Sequence, residues 1–365
     1  MKKIIVESVL HNLLFGLFFA PLLFAQETKS SANVVTSKFD FIPGEKVVFY
    51  DDFTNENVGD FPVQWNTNSS GEIVTVNNFP GRWFQFTGGG YYIPEAKEKF
   101  TDNYTVEFDL IPSTTIEGVN YLFNMQFLFV SGTLNNPNEG GAIPGKAGTS
   151  MTADYENINW TNWSESNEGY KDNGNSSFMF MTGEKYHVAF WIQKQRIRMY
   201  ANDKKVLDLP RGLIEGYDYN IFRIQTSDEI NPLISNFRIA VGLPDMRNKL
   251  ITEGKLVSYG IQFDVNSDKI KSESYATVKE IAQVLKDNPT VRIKIIGHTD
   301  SDGDDNSNLD LSKRRAISVK TELTKSFSID SSRMETDGKG ESQALAPNDT
   351  GLNKAKNRRV EFIKL

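Results

Sequence analysis

The sequence predicts an all-β jelly-roll sandwich followed by a compact α/β sandwich. The chain has 365 residues, which is enough for about two domains. Between Phe41 and Val241, short apolar segments are separated by turns rich in glycine, asparagine and proline, and the sequence shows no amphipathic helical pattern there. Beyond residue 255 the pattern changes, because segments with the period of a strand alternate with segments that have the period of a helix.

The first 38 residues are predicted to lie outside both domains. Two lysines precede an apolar run over residues 13–24, and Ala25 follows at a suitable cleavage position, so residues 1–25 are interpreted as a secretory signal peptide. The apolar run is shorter than the roughly 20 residues that a membrane-spanning helix needs. Residues 26–38 are polar and are predicted to be flexible. We therefore expect secretion across an inner membrane, to the periplasm or to the outer membrane.

Composition excludes several classes of function. The chain has no cysteine, which rules out disulfides, thiolate catalysis and cysteine-ligated metal sites. The net charge of −7 opposes nonspecific binding of nucleic acid, so no nucleic-acid partner is expected.

The first domain is predicted over residues 39–243, as a sandwich of two sheets. In residues 105–111 (TVEFDLI) apolar and polar side chains alternate, which is the period of a half-buried strand. That alternation predicts that Phe108 and Leu110 face the core and that Glu107 and Asp109 face solvent. The other strand candidates are VVFY (47–50), RWFQF (82–86), NYLFNMQFLFV (120–130), SFMFM (177–181), KYHVAFWIQ (185–193), RIRMY (196–200) and LISNFRIAVG (233–242).

Residues 184–212, EKYHVAFWIQKQRIRMYANDKKVLDLPRG, resemble the paired strands of concanavalin-like (laminin-G type) jelly rolls. The resemblance rests on an aromatic-rich strand, a second strand that ends at Tyr200, a turn with Asn202 and a short strand with Val206. It implies a domain that binds glycans or an envelope protein, although many such domains only pack against neighbours. Two tryptophans, Trp160 and Trp163, leave two interpretations open: an aromatic platform for a sugar face, or buried indoles that hold a loop.

An enzymatic interpretation of this domain lacks one residue. Polysaccharide-cleaving relatives of the fold carry an E-x-D-x-x-E strand, whose carboxylates act as acid and nucleophile. This chain has Glu107 and Asp109, but Pro112 stands where the second glutamate is required. We therefore do not expect an enzyme.

The second domain is predicted over residues 256–365, after a linker at residues 244–255. The first predicted helix buries one face, formed by Tyr275, Val278, Ile281, Ala282 and Leu285. The second is expected to start near Leu309–Ser312. The predicted elements are a strand at 260–265, a helix at 274–288, a strand at 291–298, a helix at 311–326, and strands at 332–338 and 357–365. This β-α-β-α-β-β order predicts a compact α/β sandwich.

The acidic segment between the second strand and the second helix invites a calcium interpretation. Oxygen-bearing side chains at alternate positions suit a hard cation, and here they are Asp300, Asp302, Asp304, Asn306 and Asn308. A helix-flanked calcium loop also needs a glycine at its sixth position and a bidentate glutamate at its twelfth. Those positions hold Asp305 and Leu311, so no metal ion or other cofactor is predicted.

The same segment resembles a peptidoglycan-binding module. Residues 298–316 have the pattern H-T-D-x-x-G-x-x-x-x-N-x-x-L-S-x-x-R-A, which is similar to the signature of the OmpA-like C-terminal domain of Gram-negative envelopes. The segments GIQFDVNSDKI (260–270), GKGES (338–342) and NRRVEF (357–362) support the resemblance, which covers about residues 255–365. It implies a non-enzymatic protein that binds peptidoglycan.

The resemblance also implies a site for diaminopimelate, the stem-peptide residue that exposes an ammonium and a carboxylate. Asp300 would take the ammonium and Arg315 the carboxylate, since a guanidinium pairs with a carboxylate through two parallel hydrogen bonds. The other implied site residues are Asn308, Arg358, Thr299 and Leu311. A structural salt bridge between Asp300 and Arg315 is the alternative. Arg314 is expected to point elsewhere on the helix, into solvent.

Three hypotheses of function follow from these patterns. The first is a cell-wall anchor whose N-terminal sandwich faces another ligand. The second is a polysaccharide-active enzyme that the C-terminal domain tethers to the cell wall. The third is an adhesive or structural envelope component whose sandwich binds protein.

Overall fold

The computed structural model describes residues 39–133, 143–166 and 170–365. The predicted signal peptide (1–25) and flexible segment (26–38) lie outside these residues. The described residues together form one compact unit. Among the described residues, no helix is long and apolar enough to cross a membrane.

The described residues before Gly242 form an all-β region with two antiparallel sheets, here called the N-terminal sandwich. Its strands are β1 (Lys46–Asp51), β2 (Trp65–Thr67), β3 (Gly71–Val76), β4 (Phe79–Phe86), β5 (Gly90–Pro94), β6 (Asn103–Ile111), β7 (Met125–Ser131), β8 (Ala147–Asp154), β9 (Asn157–Ser164), β10 (Tyr170–Ser177), β11 (Tyr186–Gln193), β12 (Arg196–Ala201), β13 (Lys204–Leu209), β14 (Ile221–Thr226) and β15 (Leu233–Val241). One sheet has the order β13-β12-β11-β6-β15-β4-β3, with β1 also paired to β15. The other has the order β10-β9-β8-β7-β14-β5-β2.

An aromatic core fills the space between the two sheets. Phe108 of β6 and Phe237 of β15 stack with their ring centroids 5.5 Å apart, and Phe127, Phe190 and Phe222 pack around them. All five side chains are at most 1% exposed, so apolar burial stabilises the pair of sheets. The predicted all-β class is confirmed.

Two of the strand predictions in this region need correction. The strand expected at 120–130 begins only at Met125, because Asn124 takes a left-handed conformation (φ 53°) that interrupts it. The segment 178–181 is not a strand. Phe178 and Phe180 instead pack edge-on against Tyr186, so their burial reflects a loop that covers the core.

The remaining residues form a helix-and-sheet structure, here called the C-terminal domain. Its elements are β16 (Lys255–Ser258), α1 (Tyr275–Asp287), β17 (Ile293–Gly297), α2 (Asp305–Lys325), β18 (Met334–Gly338), α3 (Gly351–Asn357) and β19 (Val360–Lys364). The sheet order is β16-β19-β17-β18, in which β17 and β18 are parallel and the other pairs antiparallel. Buried residues of α1 and α2 share one core with this sheet. The predicted α/β class is confirmed.

The structure differs from several predictions for this domain, and helix α3 lies between the last two strands, where no helix was expected. The strand expected at 260–265 is absent, since Phe263 makes only an isolated bridge with Ile270, and β16 lies upstream of it. Tyr275, predicted to be buried, is 44% exposed. Helix α2 begins at Asp305 instead of 309–312, because the Asp304 side chain accepts a hydrogen bond from Ser307 N at 3.0 Å.

Part of the predicted linker (244–255) is also packed structure. A short π-helix spans Asn248–Thr252, and Met246 and Leu250 are 5% and 0% exposed within the core of the C-terminal domain. Apolar side chains of this segment therefore stabilise that core. The domain boundaries themselves stay a prediction.

Candidate ligand-binding site

Asp300 lies in the loop that leaves β17, next to helix α2. Helix and strand approach closely here, because a Cβ on Gly297 would lie 2.2 Å from the carbonyl oxygen of Ser312. Asp300 is 7% exposed, and its Oδ1 accepts a hydrogen bond from the backbone N–H of Asp302 at 3.1 Å. Its Oδ2 accepts a hydrogen bond from Arg358 Nη1 at 2.5 Å. The carboxylate is thus held in a fixed position at the end of the sheet.

Arg315, in the third turn of α2, is held by the segment that precedes α1. Its Nε donates to Ser267 O at 2.9 Å, and its guanidinium lies 4.9 Å from the centre of the Phe263 ring. Burial lowers the pKa of Arg315 to about 10, the Asp300 carboxylate opposes that change, and the positive charge of Arg358 adds to it. Arg315 therefore lies within electrostatic reach of Asp300 and Arg358, which are in direct contact with each other.

Asp300 and Arg315, both well inside the described chain, form no direct ion pair. The ion pair that does form joins Asp300 to Arg358. The structure therefore contradicts the alternative of a structural salt bridge between Asp300 and Arg315. The Arg315 guanidinium donates to backbone carbonyls and lies over an aromatic ring. It has no carboxylate in direct contact within the described part of the chain.

Arg358 follows helix α3 and meets three groups. Besides Asp300, its Nη2 lies 3.6 Å from Asp52 Oδ2, and its guanidinium carbon lies 4.9 Å from the centre of the Tyr50 ring. Burial lowers the pKa of Arg358, but Tyr50, Asp300 and Asp52 raise it by more, so the side chain is fully charged. Sequence reasoning did not find Tyr50 or Asp52, because no motif links strand β1 to a site about 250 residues away.

The other predicted site residues have different environments. Asn308 is 5% exposed and its Nδ2 lies within hydrogen-bond distance of Asp300 O, Asp302 O and Glu341 Oε2, so it holds the loop in place. Thr299 is 3% exposed, and its Oγ1 has no hydrogen-bond partner among the described residues. Leu311 is half-buried on α2.

The remaining charges of the loop face outward. Asp302 pairs with Lys354 at 2.7 Å, and Arg314 is 44% exposed and pairs with Asp310 at 2.8 Å. Asp304 and Asp305 are exposed as well. Throughout residues 39–133, 143–166 and 170–365, no three or more metal-ligating side chains are arranged to hold a metal ion.

Glu107 and Asp109, predicted to face solvent, are buried at 2% and 3% exposure. Glu107 pairs with Arg238 at 2.9 Å and with His187 at 3.4 Å, and Asp109 pairs with His187 at 3.2 Å. Gln262 of the C-terminal domain donates to Glu107 Oε2 at 3.3 Å. The outward prediction was wrong because the polar face of β6 lies against the C-terminal domain.

Trp160 and Trp163, both on β9, lie in different environments. Trp163 is 1% exposed and its Nε1 donates to Pro144 O at 3.0 Å, which supports the interpretation of a buried indole that holds a loop. Trp160 lies half-buried against the core of the sandwich.

Comparison with known proteins identifies the domain that carries this site. Residues 262–358 match the sequence model of the OmpA family. The chain carries an OmpA family domain. Asp300, Asn308, Arg315 and Arg358 all lie within the matched residues.

Curated proteins similar to part of this chain include an outer membrane porin and a probable lipoprotein. Outer membrane porin F of Pseudomonas aeruginosa is 38% identical over 111 residues, which are 30% of this chain and 32% of the porin. The probable lipoprotein YiaD of Escherichia coli is 40% identical over 102 residues, which are 28% of this chain and 46% of the lipoprotein. The chain thus spans about a third to a half of the length of these curated relatives.

Solved structures were matched to about a third of this chain. The peptidoglycan-associated lipoprotein of Burkholderia pseudomallei is 26% identical, with a TM-score of 0.29, and the alignment covers 33% of this chain and 98% of that structure.

Proposed function

We propose that this protein is a non-enzymatic cell-wall anchor that binds peptidoglycan through its OmpA family domain. The observation that carries the proposal is the grouping of Asp300, Arg315 and Arg358 in that domain, at the position where the family signature predicts a ligand site. The name of outer membrane porin F, which places that relative in an outer membrane, supports a location in the periplasm or at the outer membrane after secretion.

The proposed ligand group is the ammonium-and-carboxylate end of diaminopimelate. Asp300 would accept hydrogen bonds from the ammonium, and Arg315 would pair with the carboxylate, with Arg358 adding positive charge nearby. Asn308 would act indirectly, by fixing the loop that carries Asp300, and Thr299 would shape the wall of the site. Leu311 would supply an apolar contact along the wall of the site.

A glycan or an envelope protein is the proposed partner of the N-terminal sandwich. A cleft of about 340 Å³ opens there, with Lys171, Asp172, Arg211 and Glu215 among its lining residues, so it presents charge of both signs. The enzymatic alternative has weaker support, because the carboxylates nearest to a catalytic pair, Glu107 and Asp109, are buried and ion-paired.

The proposal is tested by sedimentation of the full chain with purified sacculi. We expect Asp300→Ala and Arg315→Ala to abolish co-sedimentation with diaminopimelate-containing sacculi, while circular dichroism and thermal unfolding stay close to wild type. Arg314→Ala is the matched control, since this neighbouring arginine is 44% exposed and pairs only at the surface. Binding should also weaken as salt is raised, because opposite charges supply much of it. Sedimentation of both variants at the wild-type level would show that the site is misassigned.

A further inference from the structure

The ligand site of the OmpA family domain touches the N-terminal sandwich at Arg358. Tyr50 is the second-last residue of β1, and Asp52 directly follows the strand. The ring of Tyr50 lies under the Arg358 guanidinium at 4.9 Å, and Asp52 Oδ2 lies 3.6 Å from Arg358 Nη2. Helix α3, which ends just before Arg358, packs along β1. Arg358 therefore meets one carboxylate from each part of the chain, Asp52 and Asp300.

Both sandwich residues are fixed by contacts of their own. Tyr50 is paired in register with Arg238 of β15, and its hydroxyl donates to Asn236 Oδ1 at 3.4 Å. Asp52 Oδ1 accepts hydrogen bonds from the N–H of Thr54 at 3.2 Å and from its hydroxyl at 2.7 Å, which leaves Oδ2 for the guanidinium. The side chain of Asp52 is 17% exposed, against 10% for Asp300 and 29% for Arg358. Partial burial of this kind strengthens ionic contacts relative to those at an open surface.

The charges of the groups at the site sum to zero when Asp52 of the N-terminal sandwich is included. Asp300, Arg315 and Arg358 alone give one negative and two positive charges. Arg358 pairs directly with Asp300, so it competes with any ligand ammonium for that carboxylate. Asp52 Oδ2, 3.6 Å from Nη2 of the same guanidinium, adds a second negative charge beside Arg358, and these four groups together are neutral. A neutral group with both signs suits a zwitterionic ligand.

We propose that Tyr50 and Asp52 of the N-terminal sandwich are positioning residues of the ligand site, which hold Arg358 where it leaves Asp300 able to bind an ammonium group. The site is then composite, built by the OmpA family domain and by the first strand of the sandwich together. This inference rests on the proposed function, because it concerns affinity for the same zwitterionic group.

The test measures binding of a synthetic diaminopimelate-containing stem tripeptide to the full chain by titration calorimetry. We expect Asp52→Asn and Tyr50→Leu each to weaken binding about fivefold, the size of a partly screened ionic contact. Asp52→Glu keeps the carboxylate and Tyr50→Phe keeps the aromatic ring, so both variants should bind the peptide with an affinity close to that of the wild type. Glu98→Gln is the matched control, since Glu98 pairs with Lys46 of the same strand at the surface.

A double-mutant cycle separates positioning from a general structural effect. In an Arg358→Gln background, Asp52→Asn and Tyr50→Leu should cause no further loss, because their effect passes through Arg358. Equal losses in both backgrounds, unchanged binding in the single variants, or tighter binding would each overturn the inference.

Asp300→Ala, measured in parallel, keeps the two proposals distinct. If it abolishes binding while Asp52→Asn binds like wild type, only the composite site fails, and if it binds like wild type, the proposed function fails.

Discussion

At the scale of single residues, carboxylates of one acidic loop have different roles that depend on their nearest partners. Asp300 accepts from Arg358, Asp302 pairs with Lys354, and Asp304 accepts from the first turn of α2. Asp305 and Asp310 are exposed. These aspartates lie within a few residues of each other and have the same side chain. Their roles differ because the backbone directs each one toward a different element.

The role of Asp304 gives a prediction about stability. Asp304→Ala should lower the free energy of unfolding by about 1 kcal/mol, because it removes the side chain that caps α2. Asp305→Ala is the control, since that exposed side chain makes no such bond within the described residues, and its effect should be smaller. Urea denaturation followed by circular dichroism measures both, and equal losses would argue against the cap.

Single positions also show where sequence patterns stop being informative. Alternation in residues 105–111 correctly placed Phe108 and Leu110 in the core, at 0% exposure. It placed Glu107 and Asp109 in solvent, although they are buried against the C-terminal domain. A period of two separates the faces of a strand but carries no information about what covers the polar face. By contrast, the spaced signature at 298–316 includes Asp300 and Arg315, and the family resemblance added Arg358, which contacts Asp300 in the structure.

At the scale of elements, the site depends on the close packing of β17 against α2. Gly297→Ala should lower the free energy of unfolding by about 1–3 kcal/mol, because the added Cβ would meet the backbone carbonyl oxygen of Ser312 at 2.2 Å. Ile317→Ala, at a residue of α2 that is 52% exposed, should change stability by about 0.5 kcal/mol or less. Chemical denaturation measures both. A Gly297→Ala variant as stable as wild type would show that the helix can move away from the strand.

Elements with strong periodicity were predictable, and short or polar ones were not. Helix α1 and strands β6, β11 and β17 agree with the patterns because their buried faces repeat along several turns or residues. Strand β10 has the sequence YKDNGNSS, which shows no alternation of apolar and polar residues. It is extended because it pairs with β9, which the sequence pattern does not reveal. The apolar segments at 178–181 and 260–265 misled for the opposite reason, since apolar residues also pack in loops over a core.

At the scale of the whole molecule, charged groups join the N-terminal sandwich to the C-terminal domain. Arg238 pairs with Glu107 at 2.9 Å and donates to Tyr259 O at 3.0 Å, while Gln262 donates to Glu107. Buried charges are stable only when they are paired, and here the partners come from both parts. The two parts are therefore coupled in stability, which is why the experiments above use the full chain.

His187 lies in the middle of this buried cluster and makes stability depend on pH. Burial lowers its pKa, but hydrogen bonds to Asp109 and Glu107 and the nearby charge of Glu273 raise it more, to about 9 against an ordinary value of 6.5. A histidine whose pKa is raised by folding stabilises the fold fully below its unfolded pKa and loses that contribution as pH rises through the folded value. Positive neighbours, Arg238, Lys185 and Lys271, face the same two carboxylates and share their charge.

Replacement of His187 should remove this dependence. Between pH 6.5 and 9.5 the free energy of unfolding of the wild type should fall by about 3 kcal/mol more than that of His187→Gln, the difference that a pKa raised by this amount implies. Asp51, whose pKa is raised to about 7 by burial, contributes equally to both proteins and cancels in the comparison. Urea denaturation across this range measures the difference. Parallel pH profiles would show that His187 is neutral in the folded protein and that Glu107 and Asp109 are balanced by Arg238 and the lysines alone.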